Sequence, residues 1–117
     1  MIQEIRRVAK PWGHELILAH TASYVGKILH IEPNQALSLQ MHRVKEETFY
    51  VFSGEIELEV EEGEVMVSRP LKLGEAYHVT PGTRHRMVAG PEGCDLFEVS
   101  TPHLDDVVRL EDRYGRA

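Results

Sequence analysis

From Glu55 to Glu62 the chain reads EIELEVEE, with Ile56, Leu58 and Val60 alternating with glutamates. Period two belongs to a strand with one face buried and one face wet; a helix would scatter the same glutamates around its whole circumference. The pattern recurs. In KILHIEP, Lys27, Leu29 and Ile31 share one face, and Ile28 and His30 share the other. Ser38, Gln40 and His42 form another inward set, followed by Glu47, Phe49 and Val51. VMVS, AYHVT, RMVA and DLFEVST are further strand segments. Turn residues separate them at Pro33-Asn34, Ser53-Gly54, Glu62-Gly63, Leu73-Gly74, Pro81-Gly82 and Gly90-Pro91 with Gly93. Helical pattern is confined to a possible short turn in LDDVVRLEDRYG, residues 104–115. Short strands so spaced predict an all-β fold, and a small jelly-roll barrel uses them without leaving exposed edges.

A length of 117 residues predicts a single domain over 1–117. The net charge of −6 speaks against a nucleic-acid partner, and the run of glutamates from Glu55 to Glu64 reads as a solvated strand face. No stretch approaches the ~18 apolar residues of a membrane span, and the N-terminus carries no apolar signal-like run. The lone cysteine, Cys94, excludes an internal disulfide and suits a reducing compartment. The expected location is the cytoplasm.

Chemistry concentrates at a few residues. Gln40 and His42 lie two apart and so point the same way on a strand. An amide oxygen, an imidazole and a carboxylate are all legitimate metal ligands, which makes Gln40, His42 and Glu47 three candidates on one wall. A barrel brings opposite walls together, and His85, placed after the tight turn PGTR, is the best fourth. The other histidines rank lower. His14 and His20 fall in a part expected to be irregular, His30 and His78 lie opposite their strands' apolar faces, and His103 follows Pro102.

These residues resemble the two motifs of the cupin superfamily. The first motif appears as Asn34, Gln40-x-His42, Glu47 and Gly54, over about 34–54; the second as Gly74, Thr80-x-Gly82, His85 and Ala89, over about 74–89. Spacing is kept throughout. Gln40 stands where the motif has its first histidine, Asn34 replaces a glycine, Thr80 a proline and Ala89 an asparagine. The resemblance implies a cupin double-stranded β-helix barrel. KPWG near the start, LSLQMH, His85-Arg86 and the ending DDVVRLEDRYGR are similar, more narrowly, to the cupin mannose-6-phosphate isomerases, which occur as C-terminal domains of bifunctional isomerase/mannose-1-phosphate guanylyltransferases. Family members often carry HHHR where this chain has His42, Arg43, Val44 and Lys45.

That resemblance implies interconversion of mannose 6-phosphate and fructose 6-phosphate through an enediolate. It also implies one divalent ion on Gln40, His42, Glu47 and His85, zinc first, with manganese, nickel or iron as alternatives. Guanylyl transfer is not implied, because no glycine-rich nucleotidyltransferase segment is present. Inward Lys27 and Glu98 are the candidate catalytic residues. Tyr77, Arg86 and Arg109 are the candidate substrate contacts, an arginine fork suiting phosphate. Trp12 is expected to be a packing anchor. Two other readings stand beside the isomerase: a non-haem metal oxygenase, and a non-catalytic sugar-binding cupin. Tyr50 and Phe52 point away from the barrel interior, so a second layer of chain or a homodimer partner is expected to cover them.

Overall fold

The computed structural model describes residues Met1–Ala117. All regular structure is strand: β1 (Arg6–Lys10), β2 (Gly13–His20), β3 (Val25–Ile31), β4 (Leu39–Met41), β5 (Glu47–Glu62), β6 (Val65–Leu71), β7 (Ala76–Val79), β8 (His85–Ser100) and β9 (Val108–Glu111). No helix is long and apolar enough to cross a membrane.

Long strands β5 and β8 organise the rest. They pair antiparallel along nearly their whole length, from Glu47↔Ser100 to Val60↔His85. In one half, β8 also pairs β3 (Val25↔Ser100 through Ile31↔Cys94), and β5 also pairs β7. That half continues through β2 to β1 at its edge. In the other half, β8 pairs β4 at Gln40↔His85, β4 pairs β9, and β5 pairs β6. The two halves are the two walls of the barrel, and inward residues of both fill it: Leu29, Ile31, Phe49, Val51, Ile56, Leu58, Val60 and Leu96 are all buried.

Ser53-Gly54 and Gly90-Pro91 with Gly93 were expected to separate strands, but β5 and β8 run through them. Both strands bend there instead. The ladder slips between Val51 and Ser53 and between Gly54 and Ile56. Gly54 (φ 73°) and Gly93 (φ 75°) take the left-handed conformation that only glycine adopts cheaply. A Cβ on Gly54 would lie 2.1 Å from the Gly93 carbonyl oxygen. The strained backbone alone costs about 1–3 kcal/mol for a non-glycine residue. Gly54→Ala is therefore expected to lower stability by at least that much in urea denaturation, and an unchanged midpoint would disprove this account of the bend.

The N-terminal part is not irregular: β1 and β2 form a hairpin joined at Lys10↔Gly13, which carries His14 and His20 on β2. Buried Trp12 sits at its tip, in the hydrophobic core. The possible helical turn near the C-terminus is likewise replaced by β9, because Val108, Arg109 and Glu111 find ladder partners on β4 that a sequence window cannot contain. Tyr50 and Phe52 face outward at 46% and 42% exposure, so no layer of this chain covers them.

Candidate functional site

Three buried side chains converge inside the barrel. His42 follows β4, Glu47 opens β5 and His85 opens β8. Their exposures are 1%, 2% and 1%. One ligand atom from each lies within 4.8 Å of the other two, so the cluster could hold a metal ion. Glu47 Oε1 is 3.0 Å from His85 Nε2 and 3.4 Å from His42 Nε2.

Hydrogen bonds around the rings define what these atoms are. His42 Nδ1–H donates to the Asp106 carbonyl at 2.6 Å, and His85 Nδ1–H donates to the Thr83 carbonyl at 2.9 Å. Carbonyls only accept, so both neutral rings keep their proton on Nδ1 and present a bare lone pair from Nε2. His42 Nε2, His85 Nε2 and Glu47 Oε1 are buried without any hydrogen-bond partner. Three buried acceptors aimed at one point are costly unless a cation stands among them. The donor set and its outer carbonyls match what a divalent metal requires. Gln40 stands directly across the ladder from His85, on the same wall, with its Oε1 accepting from Ser38 Oγ at 2.7 Å.

A chain of alternating charges leads from Glu47 outward. Lys45 Nζ lies 3.0 Å from Glu47 Oε2 and 3.1 Å from Glu98 Oε2. Lys27 Nζ lies 3.6 Å from Glu98 Oε2 and 3.0 Å from Glu15 Oε2. Burial works against the Lys45 ammonium, yet Glu98 and Glu47 outweigh it and hold its pKa above the ordinary lysine value. Burial, then the charge on Glu47, pushes the Glu98 carboxyl up against the pull of Lys27 and Lys45. Burial would raise Glu47 as well, but the facing imidazoles and Lys45 hold it well below the usual carboxylate range.

Beside this cluster opens a cavity of about 330 Å³, which His42 lines. Gln40, His42, Lys45, Lys27 and Glu98 line its depth, and Arg6, Lys10, Arg109 and Arg116 line it from β1, β9 and the C-terminal segment. Arg116 is bound by Asp112 at 2.9 Å. Arg109, opposite Gln40 in the ladder, keeps a buried Nε–H without a partner.

Residues expected at the site from sequence therefore divide. Gln40, His42, Lys27, Glu98 and Arg109 line this cavity, and Glu47 and His85 meet His42 beneath it. Tyr77 and Arg86 are not brought to it. Tyr77 is on β7, at the opposite edge of its sheet from β1, stacked on Phe49 and donating to Glu62 at 2.5 Å. Arg86 points to the outer face, where Glu59 (2.9 Å) and Glu111 (3.5 Å) neutralise it. Trp12 packs in the core and also touches the cavity. Lys45, Glu15 and Asp106 were missed. Lys45 carried a signal, since it lies two residues before Glu47. Asp106 carried none: its partners are 61 to 64 residues away in sequence.

Comparison with known proteins agrees with this architecture. The family described as "Mannose-6-phosphate isomerase C-terminal" matches residues 1–112. The chain is 36% identical over 115 residues to the mannose-1-phosphate guanylyltransferase ManC of Salmonella typhimurium, covering 95% of this chain and 23% of that protein. It is 33% identical over 115 residues to the xanthan biosynthesis protein XanB of Xanthomonas campestris, covering 95% and 24% respectively. The chain thus spans about a quarter of these relatives' length. Among solved structures, an RmlC-like cupin from Shewanella frigidimarina superposes with a TM-score of 0.75 at 21% identity, covering 89% of this chain and 87% of that one. Barrel, motif spacing and family match together place the chain in the mannose-6-phosphate isomerase C-terminal family of cupins.

Proposed function

We propose that this chain is a metal-dependent sugar-phosphate isomerase that interconverts mannose 6-phosphate and fructose 6-phosphate. One observation carries the reading: a cluster of bare metal donors, reaching the cavity through His42, meets a buried chain of carboxylates and ammonium groups that lines the same cavity. Moving a proton between adjacent carbons of a sugar needs both an electrophile for the carbonyl and a protein acid/base group beside it.

A divalent ion on Gln40, His42, Glu47 and His85, zinc before manganese, nickel or iron, would supply Lewis acidity toward the substrate oxygens. The rest falls to the chain's own residues. Glu98, with its carboxyl pushed up by burial and by Glu47, takes the proton from C2 of the aldose and returns it to C1. The hydroxyl proton moves in the same sense, from O2 to O1, which leaves the carbonyl on C2. Lys27 and Lys45 hold Glu98 in place through its Oε2. Arg109, with its free buried Nε–H, takes the phosphate. Trp12, Leu29 and Leu37 supply the apolar part of the wall.

The test is direct. Metal-loaded protein is held with mannose 6-phosphate and the ketose product is measured, with and without a chelator. Absence of ketose from this and other aldose phosphates rejects the isomerase. Loss of a ligand should be felt first in metal content. Substituting an outer partner of a metal ligand costs ~10–100-fold in affinity, so His85→Ala and His42→Ala are each expected to cost more than ~100-fold. Full metal occupancy in both variants would show that the ligands lie elsewhere.

A second reading follows from the donor set itself. Two histidines and one glutamate, with Gln40 held by Ser38, also suit non-haem iron with open positions. Iron in the purified protein, with oxygen consumption, favours that oxygenase; sugar-phosphate binding without turnover favours a binding cupin.

We also propose a homodimer across the face bearing Tyr50, Phe52 and Val99, which this chain leaves 46%, 42% and 47% exposed. Tyr50→Lys with Phe52→Lys is expected to sediment as a monomer where the unmodified protein sediments as a dimer. An unmodified protein that stays monomeric at high concentration rejects the dimer.

A further inference from the structure

Asp106 makes contact with the metal-donor cluster in two independent ways. Its backbone carbonyl accepts the Nδ1–H of His42 at 2.6 Å. Its carboxylate accepts the next three backbone N–H groups: Arg43 at 3.1 Å through Oδ1, and Val44 at 2.7 Å and Lys45 at 2.8 Å through Oδ2. One residue thus holds the ring of a metal donor and the whole loop that follows it. That loop, between β4 and β5, carries His42 and Lys45, both buried, and leads into Glu47. It makes no ladder of its own, so its shape depends on such contacts. Its far end is tied by the same C-terminal segment, with Thr101 Oγ1 accepting from Glu46 N–H at 3.1 Å.

We propose that Asp106 is the positioning residue of the site. It sets the His42 ring and the Lys45 backbone together, and so fixes the spacing between metal donor and acid/base chain. The proposal rests on the reading of His42, Glu47 and His85 as metal ligands. The physical reason for an aspartate is specific. A carboxylate offers enough lone pairs to accept three convergent N–H groups, and its short side chain keeps its own carbonyl within reach of His42. The segment holding Asp106 also lines the cavity through Leu104, Asp105, Val107 and Arg109. Asp106 therefore joins the wall that would meet the substrate to the loop that would meet the metal.

The experiment uses the full chain as Asp106→Ala and Asp106→Asn, with two readouts besides activity. Amide hydrogen exchange is followed in metal-free protein, and zinc affinity is measured by competition with a chromophoric chelator. In Asp106→Ala the Arg43, Val44 and Lys45 amides are expected to exchange at least ~10-fold faster, while β3 amides keep their rates. Zinc affinity is expected to fall ~10–100-fold, the range for losing an outer partner of a ligand. Asp106→Asn, whose amide oxygen still accepts, should fall between the two. Unchanged exchange at all three amides overturns the proposal. So does faster exchange spread evenly over the barrel, which would mark general destabilisation, and so does faster loop exchange with zinc affinity within twofold of the unmodified protein. If the unmodified protein binds none of zinc, manganese, nickel and iron, the metal reading fails by itself. Exchange and the ¹⁵N-detected His42 tautomer then decide: a retained Nδ1–H with loop amides at their original rates in Asp106→Ala overturns the positioning role, and loss of both supports it.

Discussion

Glu98→Gln is expected to lose ~10²–10⁴-fold in kcat, the range for removing a general acid/base group, while it keeps its metal. Three features make this substitution informative. Glutamine preserves the size of a side chain that is only 3% exposed, so the core around it need not repack. Neither lysine is stranded by the change: Lys27 retains Glu15 at 3.0 Å and Lys45 retains Glu47 at 3.0 Å. Glu98 also does not belong to the donor cluster, so metal content should stay at the unmodified level. Steady-state kinetics with paired metal analysis checks it. A variant that turns over at more than about a tenth of the original rate would remove Glu98 from the acid/base role. Equal loss of metal and activity would make it a structural support instead.

Replacing Lys45 by Met should weaken the folded protein by about 3–5 kcal/mol near neutral pH, the usual cost of deleting one partner of a buried ion pair. Lys45 is 3% exposed and lies between Glu47 and Glu98, at 3.0 and 3.1 Å. Its removal leaves two buried carboxylates, of which only Glu98 keeps a second ammonium, Lys27 at 3.6 Å. The deficit should shrink in acid, and the sign follows from Glu98. Burial and the charge on Glu47 raise its folded pKa. Its protonated form is therefore favoured by folding. The stability it contributes is present below the ordinary glutamate range and is lost as pH rises through the raised value. Without Lys45 one opposing cation is gone, so that window widens upward. Urea denaturation near pH 7 and near pH 5 compares the two regimes. A loss under about 1 kcal/mol, or the same loss at both pH values, would mean that water reaches the pair and screens it.

How far this protein can be read from its residues depends on the range of each interaction. Alternation such as EIELEVEE and the inward series Lys27, Leu29 and Ile31 determined strand and face, because the two-residue repeat is local. The paired spacings around His42, Glu47 and His85 determined which groups could meet once a barrel closed, and the structure brings those three within 4.8 Å of one another. Local reading went astray where a glycine could either end a strand or bend it. Gly54 and Gly93 bend theirs because each strand already had its partner across the ladder. Tyr77, expected to contact substrate, packs on Phe49 instead, since alternation gives side and not depth and cannot tell the packed core from the cavity. Arg86 follows the inward His85 on β8, so alternation turns it to the outer face, where two glutamates pair with it. The N-terminal hairpin, the Glu15–Lys27 pair and the hold of Asp106 on His42 and its loop were decided only in the tertiary structure. Each joins groups whose meeting depends on how the walls close, and no local repeat records that distance.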